Sequence, residues 1–101
     1  MRILVDRLWP RGVAKRDLAL DRWAKELAPS TALRTWYGHR PERFEEFRRR
    51  YREELSSEPA ATEVGELRQA AADRTITVLT ATRDVERSGA AVLAQVLAGH
   101  G

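Results

Sequence analysis

The 101-residue chain has no cysteine, which excludes disulfide bonds, thiolate catalysis and cysteine-ligated metal or iron–sulfur sites. It also has no hydrophobic run near the roughly 18 residues that a membrane helix needs. The apolar stretch at its start is too short for a signal peptide. With only two histidines and no cysteine, we predict no metal site. These absences predict a cytoplasmic protein of one domain with no membrane association.

Charge is abundant but almost balanced in sign. Charged residues make up 33% of the chain, yet the formal net charge is only +3. The pI of about 9.9 reflects the prevalence of arginine, whose pKa lies far above those of the other side chains. Balanced charges are typical of a solvated surface, so the composition does not favour binding to nucleic acid.

Two short runs of aliphatic and β-branched residues predict strands over residues 3–5 and 75–82. Apolar residues at helical spacing predict helices elsewhere. The predicted helices cover residues 17–28, 30–37, 41–55, 59–72 and 86–98. This order is typical of a single small α/β domain over residues 1–101, with a short parallel sheet flanked by about five helices. Because two strands make a poor sheet, we expect a further edge from a homodimer partner or a strand missing from this sequence.

The charged loop after the first strand is the main candidate for a binding site. The apolar run stops at Asp6, and ligands of open α/β sheets bind at the carboxyl ends of strands. Guanidinium groups recognise phosphate or carboxylate in a two-pronged manner, and an indole can stack on a ring. Parallel strands bring the loop after the second strand to the same edge. The predicted site for a small anionic ligand comprises Asp6, Arg7, Trp9, Arg11, Lys15, Arg83 and Asp84.

Other interpretations of these residues stay open. Asp6 and Asp84 could pair with the loop arginines and only fix the loops, which predicts a non-catalytic regulatory or interaction module. His39 follows a predicted helix end and is a candidate acid–base group or haem ligand. The sequence names no catalytic residue and no cofactor, and it leaves open whether the protein is an enzyme. Ser30 is predicted to be a helix N-cap.

Several motifs carry a resemblance to a known family. Residues 5–12 (VDRLWPRG), 23–30 (WAKELAPS), 33–39 (LRTWYGH) and 43–51 (RFEEFRRRY) resemble the YeaO-like family of small bacterial proteins, a domain of unknown function. The resemblance covers essentially the whole chain and implies a compact α/β fold with no established activity. Relatives usually carry a further strand before the first one, so we expect that strand to be lacking here. They also tend to have Asn or His after the Arg83-Asp84 pair, where this chain has VERSG.

Overall fold

A three-stranded parallel sheet lies at the centre of the protein, in a computed structural model that describes residues 1–99. The strands are β1 (Arg2–Leu4), β2 (Arg22–Trp23) and β3 (Thr77–Leu79), in the order β2-β1-β3. The helices are α1 (Lys15–Leu18), α2 (Thr31–Tyr37), α3 (Phe44–Leu55), α4 (Ala60–Asp73) and α5 (Gly89–Leu97). The predicted α/β class, with a short parallel sheet and about five helices, is confirmed.

The predicted helix over residues 17–28 is wrong. The chain there forms α1, the strand β2 and a short 3₁₀ turn at Lys25–Leu27, and Ala19 adopts a left-handed conformation that ends α1. Strand β1 is buried, so the N–H and C=O groups on both of its edges need partners. The segment satisfies one edge: the Asp21 and Ala24 N–H groups donate to the carbonyls of Arg2 and Leu4 at 2.9 and 2.7 Å. Pairing with β1 therefore outweighs the helical spacing of the apolar residues. The segment forms β2, so the third strand of the sheet comes from within the chain.

The predicted last helix is interrupted. A 3₁₀ turn at Val85–Arg87 comes first, and Ser88 then adopts an extended conformation before α5 begins. The Ser88 hydroxyl accepts from the Ala91 N–H at 3.3 Å and donates to the Val85 carbonyl at 2.6 Å. Ser88 is therefore an N-cap, and α5 starts three residues later than the spacing alone predicts.

The core lies between the sheet, α3 and α5. Ile3 and Leu4 of β1 are almost fully buried, and so are Val92 and Leu93 of α5. Helical spacing predicts an apolar stripe of Phe44, Phe47, Tyr51 and Leu55 on α3. Phe47, Tyr51 and Leu55 are buried, and Phe44 is partly buried. The Tyr51 hydroxyl donates a hydrogen bond to the Leu27 carbonyl, so the one polar atom of this side chain is satisfied inside the core.

Within residues 1–99, the structure has no helix that is long and apolar enough to cross a membrane. A homodimer through the sheet edge stays a prediction.

The outer face of α3 carries a network of ion pairs. Glu46 accepts from Arg49 and Arg50 at 2.5 and 2.8 Å, and Arg49 also reaches Glu53 at 2.7 Å. Opposite charges four residues apart in the sequence predict four pairs on this helix, and two of them form: Glu46–Arg50 and Arg49–Glu53. The predicted pairs Glu45–Arg49 and Arg50–Glu54 do not form within the described residues. Glu45 instead contacts Arg48, and Glu54 binds Ser30 at the start of α2.

The Glu46 pairs predict a dependence of stability on acid. Hydrogen bonds from Arg49 and Arg50 lower the pKa of Glu46 to about 2. A lowered folded-state pKa contributes stability that is present above the ordinary carboxyl pKa and is lost as pH falls from about 4.5 towards 2. Glu46→Gln should therefore be less stable than the wild type at pH 6, and the difference should vanish near pH 2. Urea unfolding at several pH values measures this, with Glu66→Gln as the control for loss of one surface charge. A difference that is constant with pH would contradict it.

Candidate functional site

A cleft of about 450 Å³ opens where β1, β3, α2 and α5 meet. Asp6 and Arg7 lie in the loop after β1, Thr80 and Thr82 come after β3, and Phe47 of α3 also lines the cleft. The cleft thus lies at the carboxyl ends of two adjacent parallel strands, the edge that the sequence predicted. The remaining lining residues are Val5, Leu8, Ala28, Pro29, Arg34, Thr35, Tyr37, His39, Ser88, Gly89 and Ala90.

Two arginines supply positive charge to the cleft. Arg7 Nη2 donates to the Pro29 carbonyl at 3.3 Å, which leaves its other N–H donors for a ligand. Arg34 lies on α2, and its guanidinium makes no hydrogen bond or ion pair with any residue from 1 to 99. Both side chains are solvent-exposed. The cleft therefore offers guanidinium donors that the protein itself does not use.

The helix carrying Arg34 is held firmly in place. Ser30 caps α2, since its hydroxyl accepts from the Leu33 N–H at 3.2 Å, as predicted. Glu54 of α3 accepts from the Ser30 N–H at 2.9 Å and from the Ser30 hydroxyl at 2.6 Å. Gly38 ends the helix in a left-handed conformation. The position of Arg34 at the cleft is therefore fixed by local caps and by one contact between helices.

The N-terminus of α5 also faces the cleft. Ser88, Gly89 and Ala90 line it, and the backbone N–H groups of Gly89 and Ala90 have no hydrogen-bond partner in the described chain. Unpaired N–H groups and the helix dipole make such a terminus favourable for negative charge. Together with the two arginines, this end of the cleft has a positive character.

Gly89 permits this placement of α5. A Cβ at Gly89 would lie 3.2 and 3.3 Å from ring atoms of Pro29 and 3.3 Å from Tyr51 Cε2. These are closer than ordinary van der Waals contacts, and both rings are buried. The glycine therefore lets the helix start approach the segment that precedes α2.

Alanine substitutions at two glycines should change stability in opposite directions. Gly89→Ala should destabilise the protein by about 1 kcal/mol, because the buried rings must shift. Gly65→Ala should stabilise it by about 0.5–1 kcal/mol, because it raises helix propensity, and a Cβ at Gly65 in α4 meets nothing within 4 Å. Chemical denaturation of both variants beside the wild type measures this. Equal shifts of the same sign would contradict the close approach at Gly89.

Asp6 joins the loops that follow the two strands. Its Oδ1 accepts from the Thr80 hydroxyl at 2.6 Å, and its Oδ2 accepts from the Ala81 N–H at 2.8 Å. Its carbonyl accepts from the Trp23 indole N–H at 2.7 Å. The Asp6 carboxylate thus fixes the shape of the cleft wall, and it does so without neutralising either cleft arginine.

A second cavity of about 470 Å³, which we call the outer cavity, adjoins the cleft. Its lining includes Arg83, Ala81 and Asp84, and it shares Asp6, His39 and Thr82 with the cleft. Asp84 pairs with Arg87 at 3.2 Å on the surface, whereas Arg83 has no ion pair within the part of the chain that the structure describes.

Tyr37 and His39 lie on the wall of the cleft, close to the point where the outer cavity adjoins it. The Tyr37 hydroxyl donates to the Arg87 carbonyl at 2.7 Å, and burial raises the pKa of Tyr37, so the hydroxyl stays protonated and keeps this bond. Tyr37 also stacks on Phe47 at 4.3 Å between ring centroids. The exposed His39 lines both cavities. Its assignment as an acid–base group or haem ligand stays a prediction. His100, the other histidine, lies outside the described residues.

The structure separates the predicted site residues into two groups. Asp6, Arg7, Arg83 and Asp84 line the cleft or the outer cavity. Three others line neither of them: Trp9 and Arg11 on the loop after β1, and Lys15 at the start of α1. Trp9 packs edge-to-face on Trp23 at 5.3 Å, and its indole N–H donates to the Val13 carbonyl at 2.6 Å. The tryptophan therefore supports the loop that carries Arg7.

Sequence reasoning missed Arg34 and Thr35. Apolar spacing predicts their helix and places Leu33 and Trp36 on its inward face. The spacing leaves residues 34 and 35 off that face and cannot say that they border the strand ends. Trp36 itself is partly exposed, and Arg43 and Arg50 lie over its ring at 5.0 and 4.4 Å.

Within residues 1–99, no group of three or more His, Asp or Glu side chains is arranged to hold a metal ion.

Comparison with known proteins places the chain in a defined group. The family model described as the inactive DUF488-N3 subclade matches residues 1–100. The chain is 52% identical over 99 residues to the uncharacterized protein Rv3073c of Mycobacterium tuberculosis, covering 98% of this chain and 81% of that protein. It is 42% identical over 96 residues to the uncharacterized protein YeaO of Escherichia coli, covering 95% and 82%. No solved structure matches the chain. The predicted resemblance to the YeaO-like family is confirmed.

Proposed function

The chain belongs to the inactive DUF488-N3 subclade, and we propose that it is a binding protein for a small phosphate- or carboxylate-bearing ligand, without catalytic activity of its own. The cleft at the carboxyl ends of β1 and β3 holds the anionic group. Arg7 and Arg34 donate to its oxygens from two sides, and the N–H groups that begin α5 donate from a third.

The observation that carries this proposal is that several hydrogen-bond donors without a partner in the described chain border one cleft. The Arg34 guanidinium and the N–H groups of Gly89 and Ala90 have no partner in the described chain, although they border the same 450 Å³ space. By contrast, Arg49 on the outer face of α3 is bound by Glu46 and Glu53. Charge-assisted hydrogen bonds to an anion would satisfy the cleft donors.

Two polar groups of the lining are already engaged within the protein, which favours binding over catalysis by them. Asp6 carries the one carboxylate among the described residues that line the cleft, and its two oxygens accept from Thr80 and Ala81. The Ser88 hydroxyl is occupied by its role as N-cap. Neither group is placed as a free base or nucleophile. The word "inactive" in the description of the family agrees with this proposal.

Inorganic phosphate provides the direct test. Calorimetric titration should detect binding that weakens as salt is added, because screening reduces the attraction. At ten times its Kd, phosphate should raise the free energy of unfolding by about 1.4 kcal/mol. Arg34→Gln should weaken binding about tenfold, as expected for loss of a hydrogen bond between charged groups. Arg74→Gln, at the end of α4, removes the same charge away from the cleft and should leave Kd unchanged.

Two results would argue against the proposal. One is that phosphate, sulfate and citrate each fail to bind or stabilise the protein at tens of millimolar. The other is that Arg34→Gln and Arg74→Gln weaken binding equally, which would indicate a general charge effect with no defined site. Arg34→Gln is preferred to a variant of Arg7, because Arg7 also bonds to the Pro29 carbonyl and its loss can alter the cleft itself.

A further inference from the structure

The outer cavity adjoins the cleft at Asp6 and His39. The two spaces share Asp6, His39 and Thr82 as lining residues, so one extended molecule can occupy both. The cleft alone has a volume of about 450 Å³ and the outer cavity about 470 Å³. A single phosphate or carboxylate group fills a small part of this combined space, and the remainder is available to the rest of a ligand.

The outer cavity is lined by an arginine whose guanidinium has no partner among the described residues. Arg83 lines it and is exposed. Its neighbour Asp84 is bound by Arg87 at 3.2 Å, so Asp84 does not neutralise Arg83. Nor does Asp6, whose two carboxylate oxygens face Thr80 and Ala81. Arg83 makes no hydrogen bond or ion pair within residues 1–99, and so it is free to hold an anionic group.

Where the cleft and the outer cavity adjoin, the lining carries a negative charge. The Asp6 carboxylate lies on the wall that both share, and a negative charge disfavours a second anion beside it. An anionic group is therefore favoured near Arg7 and Arg34 on one side and near Arg83 on the other, with an uncharged segment between them.

From this arrangement we propose that the ligand carries two anionic groups joined by a short uncharged segment: one group binds between Arg7, Arg34 and the start of α5, and the other binds at Arg83. This inference rests on the proposed function, since it assumes that the first group binds in the cleft. Arg83 then determines specificity, because it distinguishes a ligand with two anionic ends from a ligand with one.

Phosphonates of matched chain length test the inference. The probes are propylphosphonate, with one anionic end, and the methylene, ethylene and propylene diphosphonates, measured by calorimetric titration at constant ionic strength. We expect one of the diphosphonates to bind at least tenfold more tightly than propylphosphonate, because its second end binds intramolecularly. Two identical ends account for only about a twofold gain by statistics. The extra negative charge of a diphosphonate adds a general attraction, which the Arg83 variant separates from a second contact.

Variants assign that gain to Arg83. Arg83→Gln should remove the advantage of the diphosphonate while leaving the Kd of propylphosphonate within about twofold, because the cleft arginines are unchanged. Arg74→Gln is the matched control and should preserve both affinities. The side chain of Arg83 is exposed, so the variant should keep the fold, which its thermal unfolding temperature verifies.

Each outcome separates this inference from the proposed function. If propylphosphonate binds but no diphosphonate binds more tightly, the cleft site stands and the two-group ligand is wrong. A gain that survives in Arg83→Gln would likewise overturn the role of Arg83. If no phosphonate binds at all, this inference is wrong. The proposed function is wrong as well only if phosphate, sulfate and citrate also fail to bind.

Discussion

Replacing Phe47 by alanine should destabilise the protein by about 3–5 kcal/mol, the range for truncation of a buried aromatic side chain. Phe47 is 2% exposed, and it stacks on Tyr37 at 4.3 Å and tilts against Tyr51 at 5.8 Å. The substitution would leave a void under the cleft where α2 and α3 meet. A domain of this size has a total stability of about 5–15 kcal/mol, so the loss would be a large fraction of it.

Urea unfolding of Phe47→Ala beside Phe44→Ala measures this expectation. Phe44 lies on the same helix, is only partly buried, and is 6.2 Å from the rings of both Tyr37 and Phe47. The Phe44→Ala variant should lose at most about half as much free energy of unfolding as Phe47→Ala. Both the cost of transferring the side chain to water and the cost of the cavity scale with burial. Equal losses in the two variants would show that the stack on Tyr37 adds nothing specific to the fold.

Replacing Asp6 by alanine has the second largest expected effect, a loss of about 2 kcal/mol, since hydrogen bonds to a charged acceptor are worth about 1.5–3 kcal/mol. The substitution removes the acceptors of the Thr80 hydroxyl and of the Ala81 N–H. Partial access of water to these donors keeps the expected loss below the sum of two such bonds. The loops after β1 and β3 would separate, and phosphate binding in the cleft should weaken as well.

Asp84→Ala is the matched control for Asp6→Ala. The sequence assigns the two aspartates to the same predicted site, yet the structure gives them different surroundings. Asp84 makes only a surface ion pair with Arg87, in which both side chains are about half exposed, and such pairs contribute about 0–1 kcal/mol. Chemical unfolding and phosphate titration of both variants therefore test whether Asp6 is the residue that holds the cleft together. Similar losses in both variants would show that it is not.

The hydrogen bonds of Asp6 also bear on the two interpretations that the sequence left open. An aspartate that fixes the loops and a cleft that binds an anion are compatible, because the carboxylate accepts from Thr80 and Ala81 while Arg34 keeps all its donors. The fixed loops hold the cleft donors in place before a ligand arrives, which lowers the ordering cost of binding.

Much of the architecture could be predicted from the sequence because its causes are local. The buried run that ends at Asp6, the parallel pairing of β1 with β3 and the stripe Phe47–Tyr51–Leu55 follow from side-chain type and spacing. The Ser30 cap can be predicted for the same reason, since a cap depends on the residue and its immediate neighbours. The helix end at Gly38 is local in the same way. The position of the cleft at the carboxyl ends of the strands followed from these elements.

Tertiary structure alone decided β2 and the composition of the cleft. The segment 21–24 has helical spacing, but it pairs with β1 because a buried strand must have its edge groups satisfied by a distant part of the chain. Arg34 lines the cleft because α2 borders it, whereas Arg11 and Lys15 do not line it. The loop after β1 and helix α1 carry those two side chains elsewhere. The sequence by itself placed the carboxyl ends of β1 and β3 to within three residues, since it predicts strands over 3–5 and 75–82 where the structure has Arg2–Leu4 and Thr77–Leu79. Only the packing of distant segments decided which arginines meet there, because spacing along a chain carries no information about the neighbours that folding brings together.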